Sequence, residues 1–173
     1  MKKNLITLLV LFTALVSNAQ ENQKQKDQKV TFAATAGFSN MSFKYDGGSV
    51  GEVSRNGFFA GANVDFSLTK KWHIQPSLLY VKGDRSSFLK IPVMLKYYVA
   101  KSINIQAGPQ VTFALDRTRD KAAGLDIGAG FGYDIGKRFF IEGRYSYELT
   151  DRTYSSVNTL KYNNFTVGLG YKF

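Results

Sequence analysis

From Val30 to the C-terminus, apolar and polar residues alternate with a period of two rather than 3.6, and glycines fall inside the alternating runs, where a helix would be penalised. The pattern predicts eight strands, at 30–43, 57–68, 72–82, 88–98, 103–113, 124–135, 139–149 and 162–173. One face of these strands carries no charge, as in Phe58, Ala60, Ala62, Val64, Phe66 or Ile103, Ile105, Ala107, Pro109, Val111. The chain is 21% charged, so unselected positions would hold about one charge in five, and the segregation is a property of the sequence.

The opposite face carries the ionic residues Asp65, Lys90, Lys96, Asp126, Asp134, Glu142, Arg144, Glu148 and Lys172, together with His73, Gln75, Asn104, Gln106 and many glycines. A water-soluble barrel would bury the apolar face and wet the ionic one. The strand ends argue for the reverse. Trp72, Tyr97, Tyr133, Phe139, Tyr171 and Phe173 cluster beside one set of connections, and Phe58, Tyr80, Phe113 and Tyr147 beside the other. Two aromatic belts flanking an aliphatic middle match the two interfaces of a bilayer.

Connection lengths alternate as well. Tight turns are expected at Thr69-Lys70-Lys71, Ala100-Lys101-Ser102 and Gly136-Lys137-Arg138, and longer polar loops near 44–56, 83–87, 114–123 and 150–161. A strand of about ten residues suffices for a tilted crossing of the hydrocarbon layer. Closure is obligatory there, because an open sheet edge in lipid leaves backbone groups unpaired. The fold class expected is therefore all-β: an eight-stranded antiparallel up-and-down transmembrane β-barrel spanning residues 30–173, with both termini on the short-turn side.

The N-terminal segment reads as an address. Lys2 and Lys3 precede the apolar run Leu5 to Val16, and Ser17-Asn18-Ala19 is a small-x-small cleavage site, so residues 1–19 read as a signal peptide and 20–29 as a flexible periplasmic lead-in. The implied destination is the cell outer membrane. Export changes the meaning of the net charge of +10, which would otherwise suggest nucleic acid; no nucleic-acid partner is expected. With no cysteine and a single histidine, disulfide frameworks, thiolate metal sites and histidine-rich metal sites are excluded, and no cofactor is expected.

The segments Leu89-Lys90-Ile91-Pro92-Val93-Met94-Leu95-Lys96-Tyr97-Tyr98, Ala107-Gly108-Pro109-Gln110, Ile127-Gly128-Ala129-Gly130-Phe131-Gly132 and Gly168-Leu169-Gly170-Tyr171-Lys172-Phe173 resemble the PorT-like outer-membrane β-barrel family common in Bacteroidota. The resemblance extends over nearly all of the chain after the signal segment. It implies fold and location, and its namesake's association with a secretion system gives one alternative role. Phe173 resembles the C-terminal aromatic read by the barrel assembly machinery, which implies that machinery as an assembly partner.

Eight strands enclose a space that their own side chains fill. The inward charges comprise four basic and five acidic residues, a near balance expected of mutual pairing and not of an ion-selective channel. On strand seven, Phe140, Glu142 and Arg144 face inward beside glycines 128, 130, 132, 168 and 170, a pattern of packing. The basic surplus lies instead at Lys70, Lys71, Lys101, Lys137 and Arg138 in the tight turns, where it suits pairing with lipid phosphates and, equally, the solubility of exposed turns.

A catalytic histidine needs a nucleophile and an orienting acid in reach, and barrel hydrolases with a Ser/His pair work near the outer rim, whereas His73 is expected inside near the periplasmic end; it reads as a hydrogen-bonded interior imidazole and the chain as non-enzymatic. Arg117, Arg119 and Lys121, in an outer loop with Asp116 and Asp120, form the candidate binding group for lipopolysaccharide phosphates or an acidic partner. Loops with Tyr45-Asp46-Gly47-Gly48 and Tyr154-Ser155-Ser156 suit recognition of an extracellular protein; a periplasmic protein is the other candidate. The function expected is a structural or interaction module of the outer membrane, contacting bilayer and lipopolysaccharide, with a plugged polar interior. A PorT-like secretion accessory and a narrow solute channel are the alternatives.

Overall fold

Each strand expected from the two-residue period forms. The computed structural model describes residues 29–46, 51–83, 86–115, 123–150, 152–155 and 158–173. They build β1 (Val30–Asp46), β2 (Gly51–Ser67), β3 (Trp72–Gly83), β4 (Ser87–Tyr98), β5 (Ile103–Ala114), β6 (Ala123–Ile135), β7 (Phe139–Glu148), β8 (Arg152–Ser155) and β9 (Asn158–Lys172). Strands β1 to β7 pair in sequence order, β7 pairs with β9, and β9 returns to β1, every ladder antiparallel. Eight staves thus close the wall. The short β8 pairs only with the start of β9, on the edge that β7 occupies further along.

The side-chain alternation is opposite to that of a water-soluble protein. Phe58 is 72% exposed and Phe131 61%, whereas Lys90 and Lys96 are each 4% exposed and Glu148 is fully buried. Apolar residues form the outer wall and ionic residues the lumen. Because each of the eight staves of the ring pairs with a neighbour on both sides, the ring itself has no open edge.

At one end the turns are tight, as expected. Leu68 and Thr69 donate their N–H groups to the Trp72 carbonyl at 2.9 and 3.1 Å, and Val99 donates to Ile103 at 3.0 Å. The third turn needs a left-handed residue, and Gly136 supplies it at φ 66°. Each turn is also tied to its neighbour. The carbonyls of Lys71, Ser102 and Arg138 accept from the N–H groups of Tyr98, Asp134 and Lys172 at 2.8, 2.8 and 2.7 Å.

The other end corrects three expectations. The segment 44–56 is not a loop: β1 runs on to Asp46 and β2 restarts at Gly51, with Lys44 opposite Glu52. The segment 150–161 likewise contains β8 and the start of β9. Polarity was the signal for a loop there, but a ladder in water is held by the same backbone hydrogen bonds as one in lipid and needs no apolar face. The wall therefore overhangs on one side, along β1, β2 and β9, rather than ending in uniformly long loops. The 83–87 connection is also shorter than expected, since β3 extends to Gly83 and β4 begins at Ser87.

Candidate functional site in the lumen

Alternation delivers every second residue of each stave to the axis, and the ionic ones meet there. Lys96 Nζ lies 2.6 Å from Glu142 Oε1 and 3.8 Å from Asp65 Oδ2. Glu142 is held on its other oxygen by Arg144 at 2.5 Å, and the same guanidinium donates to Gln75 Oε1 at 3.0 Å. Asp65 meets His73 Nδ1 at 2.5 Å. Lys172 and the Tyr98 hydroxyl both reach Asp134 Oδ2, at 2.8 and 3.1 Å. Phe140 fits between two cations, its ring 5.7 Å from Lys96 Nζ and 5.6 Å from Lys172 Nζ.

Toward the overhanging end a second group forms. Asp126 accepts hydrogen bonds from Gln110 Nε2 and Thr112 Oγ1, both at 2.6 Å. Glu148 accepts the backbone N–H of Tyr162 at 3.0 Å. Asn164 bridges Ser39 Oγ at 2.8 Å and Lys90 Nζ at 2.9 Å. The inward ionic residues expected from the sequence are thus gathered in two neighbourhoods.

Beside this second group lies a feature that the alternation of faces does not by itself predict. Met41, Phe59, Leu79, Val81 and Phe88 form a buried apolar cluster inside the barrel, with Ala114 and Tyr162 packed against it. The signal was present: Phe59, Leu79 and Val81 share the inward parity of Asn63, Gln75 and Ser77. Glycine makes the space, since a Cβ at Gly168 would come within 2.5 Å of Phe59 Cζ, and one at Gly170 would overlap the Phe140 ring.

His73 stacks against Tyr98 at 4.8 Å between centroids, in addition to its bond to Asp65. Among the described residues no hydroxyl is hydrogen-bonded to this imidazole. Nor do the described residues include three or more carboxylates and histidines grouped to hold a metal ion.

On the outer wall, the tight-turn end carries Trp72 against Tyr97 at 4.7 Å, Phe139 against Tyr171 at 5.2 Å and Tyr171 against Phe173 at 5.5 Å, with Tyr133 exposed nearby. Lys71 Nζ sits 5.9 Å over the Tyr97 ring and Arg138 donates to the Tyr171 hydroxyl at 2.9 Å. Toward the other end Phe58, Tyr80 and Tyr147 are exposed, while Phe113 is half-buried. The candidate loop group Arg117, Arg119 and Lys121 lies outside the described residues, as do the signal segment 1–19 and the lead-in up to residue 28.

An edgeless wall with greasy residues outside, aromatic rings near both rims and ionic pairs inside defines a membrane-spanning β-barrel. The sequence matches the outer membrane protein beta-barrel domain family over residues 6–173, and the chain belongs to that family. It is a protein of the cell outer membrane; by the rule for such barrels the tight turns face the periplasm.

Solved structures repeat the architecture. Ail, the attachment invasion locus protein of Yersinia pestis, in complex with the heparin analogue sucrose octasulfate, superposes with a TM-score of 0.53 at 17% identity, covering 84% of this chain and 99% of Ail. Neisserial surface protein A gives 0.51 at 13% identity, covering 84% and 99%. A de novo designed transmembrane β-barrel gives 0.51 at 12% identity, covering 83% and 95%. The last comparison separates fold from function, since a chain designed to be a barrel matches as well as natural ones. No curated protein matches the sequence.

Proposed function

We propose that this protein is a non-enzymatic interaction module of the outer membrane whose lumen is plugged by its own side chains and whose partners are met at its surfaces. The observation that carries the reading is the Lys96–Glu142 pair, 2.6 Å apart and nearly inaccessible to solvent. A lumen that used its charges to conduct would leave them hydrated and unpaired. Instead the basic and acidic residues satisfy one another, and the apolar cluster around Phe59 supports closure at the outer end. Planar bilayer recording tests this: the account expects no stable unitary openings, and reproducible ohmic openings would contradict it.

With the interior committed to packing, recognition falls to the outer loops. Arg117, Arg119 and Lys121 offer two guanidinium forks and an ammonium to phosphates of lipopolysaccharide or to an acidic protein surface. Capture by the detergent-solubilised protein should fall when all three are replaced by glutamine; equal capture by both proteins would remove this loop from the reading. Phe173, 81% exposed at the chain end, is the group we assign to recognition by the barrel assembly machinery, after removal of residues 1–19 on export.

A second reading follows from the PorT-like resemblance, that of a secretion-system accessory. Its longest segment, Leu89 to Tyr98, spans most of β4, where Lys90 and Lys96 face the lumen, so that segment of the resemblance is carried largely by packing residues. Crosslinking to periplasmic machinery would favour this reading over the first.

A further inference from the structure

The basic tight turns are not uniform in direction. Lys71 and Arg138 turn outward onto the aromatic belt, against Tyr97 and Tyr171. Their sequence neighbours Lys70 and Lys137 line a cavity of 370 Å³ that opens at the periplasmic mouth of the barrel, and Lys101 of the remaining turn and Lys29 before β1 line it too. Two of the three turns therefore divide a basic pair between the membrane interface and the mouth.

The mouth is strongly one-sided in charge. Six lysines line it against two aspartates, Asp65 and Asp134. Both aspartates are already engaged, Asp65 by His73 and Lys96, Asp134 by Lys172 and Tyr98. Lys29, Lys70, Lys101 and Lys137 have no carboxylate partner among the described residues. Four like charges set around one concave rim repel each other and gain from a shared anion, and a low-dielectric wall focuses their field into the opening.

The rim is also fixed in place. The carbonyls of Lys71, Ser102 and Arg138 are hydrogen-bonded to the strands behind them, and the Lys29 carbonyl accepts from Ser67 N–H at 3.0 Å. The lysine side chains alone need ordering on binding, so the entropic cost is confined to them. A cavity of 370 Å³ lies within the range of small-ligand sites.

From this geometry we propose that the periplasmic mouth is a binding site for a phosphate-bearing anion, held by Lys29, Lys70, Lys101 and Lys137 above a floor of satisfied ion pairs. Lysine suits this task as a mobile point charge that can approach phosphate oxygens from several sides. The phosphate can come from a soluble phosphate compound or from a phospholipid headgroup of the inner leaflet.

The test uses the full-length protein folded in a maltoside detergent, which brings no phosphate of its own. Titration calorimetry with inorganic pyrophosphate, and separately with glycerophosphoglycerol, should give saturable binding of one ligand per chain. Tighter binding of pyrophosphate supports a soluble ligand, and tighter binding of the glycerol diester supports a headgroup. The Lys70→Gln/Lys101→Gln/Lys137→Gln variant should bind at least about tenfold more weakly, while Lys71→Gln/Arg138→Gln stays within about twofold of the parent. All three substituted lysines of the first variant are exposed turn residues, so the barrel should fold; heat-modified gel migration checks this directly. Absence of saturable binding to either probe overturns the proposal. So does a triple variant that folds and binds as the parent does, or an equal loss in the outward-facing control.

Discussion

Lys96 on β4 and Glu142 on β7 are separated by two intervening strands of the wall, yet their charged atoms meet at 2.6 Å across the lumen. The pair therefore staples opposite sides of the barrel. Arg144 on β7 reaching Gln75 on β3 does the same, while Lys172 on β9 reaches Asp134 on β6 over the single intervening strand β7. Ladder hydrogen bonds fix neighbours, while these contacts fix the cross-section.

Asp65, Lys96, Glu142 and Arg144 sum to zero charge, and removing Lys96 leaves a buried negative charge. Lys96→Met should destabilise the barrel by about 3–5 kcal/mol in urea unfolding from detergent micelles. Adding Glu142→Gln restores neutrality and keeps an oxygen for Arg144, so the double variant should be the more stable of the two. A double variant weaker than Lys96→Met would mean that charge balance does not govern this interior.

A Cβ at Gly170 would overlap the Phe140 ring. Gly170→Ala should cost about 1–3 kcal/mol, and Phe140→Leu in the same chain should recover part of that cost. Circular dichroism melts of the single and double variants measure the coupling.

Val93, on the outer wall four residues before the belt residue Tyr97, is 40% exposed. Val93→Arg should cost about 2–4 kcal/mol in lipid vesicles, whereas Tyr97→Arg, at the interface, should cost about 0–1 kcal/mol from the charge itself. Equal costs at the two positions would contradict the assigned depth of the belt.

Gly136 holds φ at 66° and has no neighbour that a Cβ would strike. Gly136→Ala should therefore lose about 1 kcal/mol through backbone strain alone, and Gly136→Asn less, because asparagine tolerates the left-handed region. Unfolding free energies of the two variants give the comparison.

The two-residue period identified the staves and their faces because a membrane barrel makes each position either wholly lipid-facing or wholly lumen-facing. Thus Lys90 and Phe131 were legible from parity. Partners across the lumen were not, since parity gives the face of a residue and not its azimuth or height: Lys96 could be seen to point inward, but not to choose Glu142. The overhang of β1 and β2 is not legible, because its residues are mostly polar and carry no two-residue alternation. The cluster around Phe59 is hard to read from the pattern because apolar residues on the ionic face are outnumbered by polar ones.

Trp72 is the single tryptophan, 43% exposed on the outer wall against Tyr97. Its fluorescence in vesicles of brominated lipids reports directly on which face meets the acyl chains. The account predicts strong quenching, greatest when the bromines are placed near the headgroup end of the chains. Fluorescence unaffected by bromine at every depth would place this face away from lipid and contradict the inside-out arrangement.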